Sequence, residues 1–106
     1  MPRFIRKPHA CVVQEGNVAN FKCKVLATSP PVITWHFKNT LLNPSLKYMP
    51  KYMGNEYELK IGRCKMEDKG EYIVRAVNSF GSKEECAFLS VERKYFDLFT
   101  LFDWFS

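Results

Sequence analysis

Long apolar runs are absent from this chain, and none approaches the roughly 20 residues that a helix needs to cross a bilayer. Residues 1–7 show no apolar stretch leading to a small-residue cleavage site, so we expect no secretory signal. The G-x-G-x-x-G, H-R-D and D-F-G motifs of protein kinases are missing as well. We find no catalytic motif in the sequence. We therefore expect a protein that is neither membrane-bound nor an enzyme.

Closely spaced cysteines are also missing. The four cysteines are 12, 41 and 22 positions apart and form no C-x-x-C pair: Cys11, Cys23, Cys64 and Cys86. Structural zinc sites usually show tight ligand pairs, so we expect no metal and no other cofactor. Strand alternation puts Cys11 on the core side with Val13 but Cys86 out of phase with the inward Leu89. A disulfide between them is therefore not expected, and we predict four reduced thiols.

Charge does not identify a nucleic-acid-binding protein. Sixteen basic and 11 acidic residues give a net charge of +5, but no basic run exceeds two residues. The aromatic residues fit core positions better than exposed stacking platforms, so we expect no nucleic-acid partner. Alternation predicts that Lys22, Lys24 and Lys60 point outward from one sheet. These three lysines are the candidate face for a protein partner.

Alternating apolar and polar residues, separated by turn signals, predict short antiparallel strands and no helix. Pro50 interrupts the weakest of them, which we expect to lie at a sheet edge. The sequence predicts an all-β domain over residues 1–93 and a hydrophobic tail over 94–106 outside it. The predicted strands cover 4–7, 10–14, 18–27, 32–38, 46–53, 57–61, 72–77 and 81–92.

Three features predict a two-sheet Greek-key sandwich. Trp35 follows Cys23 by twelve residues, and a D-x-G-x-Y corner at 68–72 precedes a late strand. In the immunoglobulin sandwich a second cysteine lies two residues after that tyrosine and bridges the sheets. Here the position is Val74, so packing alone must hold the sheets together. Secreted domains usually keep the bridge, and its absence points to the inside of the cell.

Each framework residue has a predicted structural role. Trp35 fills the space between the sheets beside Cys23, while the hydroxyl of Tyr72 bonds back to the preceding loop. Asp68 accepts from loop amides, and Gly70 permits a backbone shape that a side chain would resist. The predicted core set is Cys23, Trp35, Leu59, Asp68, Gly70, Tyr72 and Val74.

Longer runs carry a family resemblance, and they lie at 2–5, 15–21, 29–36, 47–49, 68–76 and 81–85. In these runs the chain resembles an intermediate-set (I-set) immunoglobulin domain of the giant muscle proteins titin, twitchin and projectin. It is most similar to the domain that follows the kinase in twitchin-like proteins. The resemblance implies a cytoplasmic, monomeric module in the A-band of the sarcomere. Its implied partners are neighbouring domains of the same giant protein and sarcomeric filament proteins.

Two alternative functions stay open. One is an extracellular adhesion or receptor immunoglobulin domain, although Val74 and the lack of an N-x-S/T sequon argue against it. The other is a segment that regulates a neighbouring kinase by direct contact. For the tail we consider a docking peptide or membrane-surface anchor, packing on the sandwich, and non-native sequence beyond the domain.

Overall fold

Nine strands and one 3-10 turn form in residues 1–93, the part of the chain that this computed structural model describes. The predicted tail at 94–106 lies outside these residues. The strands are β1 (Arg3–Arg6), β2 (Cys11–Gln14), β3 (Ala19–Leu26), β4 (Val32–Phe37), β5 (Thr40–Leu41), β6 (Tyr48–Met53), β7 (Glu56–Ile61), β8 (Gly70–Asn78) and β9 (Gly81–Glu92); the turn is Met66–Asp68.

The strands form two sheets, which confirms the predicted all-β sandwich. One sheet has the order β1-β3-β7-β6 and the other the order β2-β9-β8-β4-β5. All pairings are antiparallel except that of β2 with β9. β6, which contains Pro50, lies at a sheet edge as expected.

The core lies between the sheets because alternate residues of each long strand face inward. In β3 every second residue is buried, from Ala19 to Val25. The ring of Tyr72 stacks on Phe37 with centroids 4.2 Å apart and an interplanar angle of 5°. Phe21 meets the same tyrosine at 5.4 Å. An aromatic cluster thus fills the centre of a domain that has no bridge between its sheets.

One short strand was not predicted. β5 pairs with only the last two residues of β4, through Phe37↔Thr40 and His36↔Leu41. The two residues between them, Lys38 and Asn39, have φ angles of 51° and 60°, as a tight hairpin turn requires. Because β5 is so short, most of the outer edge of β4 has no strand beside it in the described chain.

Candidate functional site

The corner before β8 is built around Asp68. The hydroxyl of Tyr72 donates to the Asp68 backbone oxygen at 2.7 Å. The Asp68 carboxylate accepts from the backbone N–H of Lys65 at 2.7 Å and from Lys47 Nζ at 2.6 Å. Gly70 has φ +143°, and an added Cβ would lie 2.9 Å from the Phe37 ring. The corner therefore requires both an acceptor at 68 and the absence of a side chain at 70.

Sequence reasoning missed the part that Lys47 plays in this corner. Its ammonium also donates to the backbone oxygen of Arg63 at 3.1 Å, so one side chain joins the start of β6 to the loop after β7. Lys47 is 16 positions from Arg63 and 21 positions from Asp68 in the sequence, and nothing in the local pattern marks it. The one general clue is that a largely buried aspartate, such as Asp68, requires a partner of opposite charge, and a lysine can supply it.

The Cys23 thiol lies at the centre of the sandwich and is fully buried, as are Val74 and Leu59. Burial, with a smaller contribution from Glu56, raises the pKa of Cys23 to about 12. Burial likewise raises the pKa of the Cys64 thiol and of the Tyr72 hydroxyl. These groups stay protonated near neutral pH, so they support packing and are poor nucleophiles.

Thiol accessibility gives a direct test. We expect Ellman's reagent to modify the exposed Cys86 quickly in the native protein, and to reach the buried Cys23 and Cys64 at least about 100-fold more slowly. Unfolding in denaturant without reductant should release four thiols. Along the parallel β2–β9 ladder Cys11 pairs with Leu89, so Cys86 lies three residues away and on the opposite face. A count of two thiols would contradict this arrangement.

The three candidate lysines lie on the outer face of the first sheet, here called the lysine face. β3 and β7 pair with Lys22↔Glu58, Lys24↔Glu56 and Asn20↔Lys60. Residues opposite each other share a face, so Lys22, Lys24 and Lys60 point to the same side. Lys22 is exposed, whereas Lys24 and Lys60 are half-buried.

Two glutamates, Glu56 and Glu58, lie on the same face and were not considered when this face was predicted to bind a partner. Lys22 Nζ lies 3.6 Å from Glu58 Oε2, so part of its charge is neutralised. Lys24 and Lys60 form no ion pair within residues 1–93, and neither does Lys51, which β6 places opposite Glu58. The face therefore keeps a positive surplus, but one interrupted by carboxylates.

Neither a metal site nor a membrane-spanning helix finds support in the described residues. Within residues 1–93 no three histidine, cysteine, aspartate or glutamate side chains come close enough to hold a metal ion. The same part of the chain has no helix of the length and hydropathy that a membrane span requires.

Comparison with known proteins identifies the domain. The Immunoglobulin I-set domain family matches residues 2–91, nearly the whole described sandwich. The chain belongs to the immunoglobulin I-set family. This family is generally non-catalytic.

One solved structure is strongly similar to this I-set domain. The twitchin kinase region of Caenorhabditis elegans, described as Fn31-NL-kin-CRD-Ig26, is 58% identical over 85% of this chain, with a TM-score of 0.84. The matched part makes up 16% of that chain. The predicted resemblance to the immunoglobulin domain of the twitchin kinase region is confirmed.

Curated relatives are much longer proteins. The human peroxidasin homolog is 30% identical over 99 residues, which cover 93% of this chain and 6% of the relative. The muscle M-line assembly protein unc-89 of Caenorhabditis elegans is 33% identical over 91 residues, covering 86% of this chain and 1% of the relative. The I-set domain is thus related to a domain of a much longer muscle protein, and it spans only a small fraction of either relative.

Proposed function

We propose that this I-set domain is a non-catalytic structural and protein-binding module of a giant, twitchin-like or titin-like muscle protein. The observation that carries the proposal is the 58% identity to the twitchin kinase region, well above the identities of 30% and 33% to the two curated relatives. The proposed location is the cytoplasm, in the A-band of the sarcomere. Its proposed partners are neighbouring domains of the same protein and filament proteins, with the domain itself a monomer.

The lysine face is the proposed contact surface. Lys24, Lys51 and Lys60 carry charges that are not neutralised by ion pairs within residues 1–93. Their natural complement is an acidic surface on a filament protein or neighbouring domain. Charges at a rim mainly accelerate and orient association, and salt screens them over about 8 Å at physiological ionic strength. The proposed contact is therefore weak and sensitive to salt.

Charge reversal tests this contact. We expect the double variant Lys22→Glu and Lys24→Glu to bind isolated thick filaments at least about fivefold more weakly in cosedimentation, because like charges then face the acidic partner. Binding of the unchanged domain should weaken as salt is raised. The control is Lys69→Glu with Lys83→Glu, which makes the same change in net charge at two exposed lysines away from this face. Equal loss in both variants, or no loss in either, would refute the lysine face.

A second candidate is direct regulation of an adjoining kinase. It is supported by the twitchin relative, whose description places an immunoglobulin domain in the same region as a kinase. A kinase reading frame immediately upstream of residue 1 in the parent gene would favour it. A secretory signal in that gene would favour the other alternative, an extracellular adhesion or receptor domain.

A further inference from the structure

A cleft of about 530 Å³ lies between β4 of one sheet and the edge strand β6 of the other. β5 ends opposite His36, so no described strand runs beside the first half of β4 and this side of the sandwich is open. Prolines and aromatic residues make up most of the lining: Pro30, Pro31, Pro50, Trp35, Tyr52 and Tyr57.

The side chains that face the cleft are apolar. Lys51 also borders it, but β6 pairs Lys51 with Glu58 on the outer face of the sheet, so its charge is directed away. Tyr52 is on the inward side of β6, with its ring centroid 6.0 Å from that of Tyr57. Even so, Tyr52 is 77% exposed. An inward-facing aromatic ring with so much exposed surface points to a cover outside residues 1–93.

The same chain contains a segment whose composition fits these walls. Residues 95–106 include only two charged side chains, Asp97 and Asp103, and eight large apolar ones. The apolar residues are Tyr95, Phe96, Leu98, Phe99, Leu101, Phe102, Trp104 and Phe105. Burying apolar side chains against an apolar wall is favourable, roughly in proportion to the area removed from water. The chain itself thus supplies an occupant of the right chemistry.

The strand register shows that this segment is long enough to reach the cleft. Through β8, Trp35 lies level with Glu85, seven residues before the end of β9 at Glu92. A strand rises about 3.3 Å per residue, and β4 lies two strand spacings of about 4.8 Å from β9. The path back is therefore roughly 33 Å, which about ten extended residues cover. Ten residues beyond Glu92 bring the chain to position 102, so Trp104 and Phe105 reach the cleft.

Two smaller depressions suit the segment less well. One, of about 230 Å³, is lined by three glutamates, which repel the two aspartates of the segment. The other, of about 330 Å³, includes Met1, which lies beside Gly81 at the far end of β9. Eleven residues of strand, about 36 Å, separate Gly81 from Glu92, so the segment would barely reach that depression. Of the three, the cleft beside β4 fits best in both chemistry and distance.

We propose that residues 95–106 fold back along the open side of the sandwich and place Trp104 and Phe105 in the cleft, against Tyr52. The segment then covers the part of β4 that β5 does not reach. Prolines at 30, 31 and 50 have no N–H to donate to a strand ladder, so side-chain packing carries the contact. The proposal does not depend on the lysine face or on the proposed function.

The test uses the full 106-residue chain and acrylamide quenching of tryptophan fluorescence. Of the two tryptophans, Trp35 is only 4% exposed, so quenching reports mainly on Trp104. We expect Tyr52→Ala to raise the quenching constant at least about twofold, because the Trp104 indole loses its cover. The exposed position of Tyr52 should let this variant fold, which circular dichroism checks. The matched control is Met53→Ala: Met53 is 84% exposed on the outer side of the same strand, and quenching should not change.

Nuclear Overhauser effects test the contact in the unchanged chain. We expect cross-peaks between the Trp104 indole and the Tyr52 ring in a chain labelled with ¹³C and ¹⁵N. An equal mixture of labelled and unlabelled chains should show them only within one chain. Cross-peaks between chains would overturn the proposal, because the cleft would then hold the segment of a second copy. Absence of these cross-peaks, or equal quenching in Tyr52→Ala and the unchanged chain, would overturn it as well.

Discussion

Replacing Trp35 by alanine is expected to lower the free energy of unfolding by about 3–5 kcal/mol, the usual cost of emptying a large core site. Trp35 packs between the sheets in the same cluster as Cys23, Leu59 and Val74. No disulfide joins the sheets among residues 1–93, so nothing covalent limits the loss. Most domains of this size are marginally stable, so a loss of this size would be a large share of the free energy of unfolding.

Urea unfolding followed by far-ultraviolet circular dichroism measures the change without relying on tryptophan fluorescence. The control is Phe80→Ala, which removes an exposed aromatic ring from the β8–β9 turn and should cost less than about 0.5 kcal/mol. A loss below about 1 kcal/mol for Trp35→Ala would show that the surrounding structure collapses around the missing side chain. The assignment of Trp35 as the main support between the sheets would then be wrong.

The sandwich could be predicted because its information is local. Alternation marks β3, and the run from Asp68 to Tyr72 contains both partners of the hydroxyl-to-carbonyl hydrogen bond at the corner before β8. Val74 in place of a cysteine is visible in the sequence alone. In each case a short stretch of sequence contains both the residue and the physical reason for its type.

The contacts between distant segments could not be predicted in the same way. Glu58 meets Lys22 only because β3 and β7 pair in one particular register. Lys47 reaches Asp68 across 21 positions, and a cleft of about 530 Å³ is lined by loop residues 30 and 31 together with residues of strands β4, β6 and β7. Such neighbours depend on register and on where β5 ends, and a period-two pattern does not encode either of them.

The same distinction explains why charge alone was a weak guide to the partner face. The sequence gives the direction of each lysine side chain, but only the sheet shows which carboxylate lies opposite it. Lys22 is exposed and paired with Glu58, whereas Lys24 is half-buried and has no ion pair within the described chain. Any affinity of this face for an acidic surface therefore depends on the neighbouring glutamates as much as on the lysines themselves.

Replacing Lys47 by methionine is expected to cost about 2–3 kcal/mol. Methionine keeps most of the side-chain length but removes the ammonium that meets the Asp68 carboxylate at 2.6 Å. That carboxylate is only 11% exposed and would keep one described donor, the backbone N–H of Lys65. Breaking a buried ion pair by removing one partner costs about 3–5 kcal/mol, and the 30% exposure of Lys47 lowers that figure because water can reach the site.

The matched control is Arg75→Met, which breaks the exposed Arg75–Glu84 pair, where the charged atoms are 3.6 Å apart. Exposed pairs contribute about 0–1 kcal/mol, so the midpoint of urea unfolding should hardly change. The two variants remove one positive charge each, and net charge therefore cannot explain a difference between them. Equal midpoints for Lys47→Met and Arg75→Met would show that water solvates the Asp68 carboxylate fully. In that case the hydroxyl of Tyr72, rather than Lys47, would hold the corner before β8.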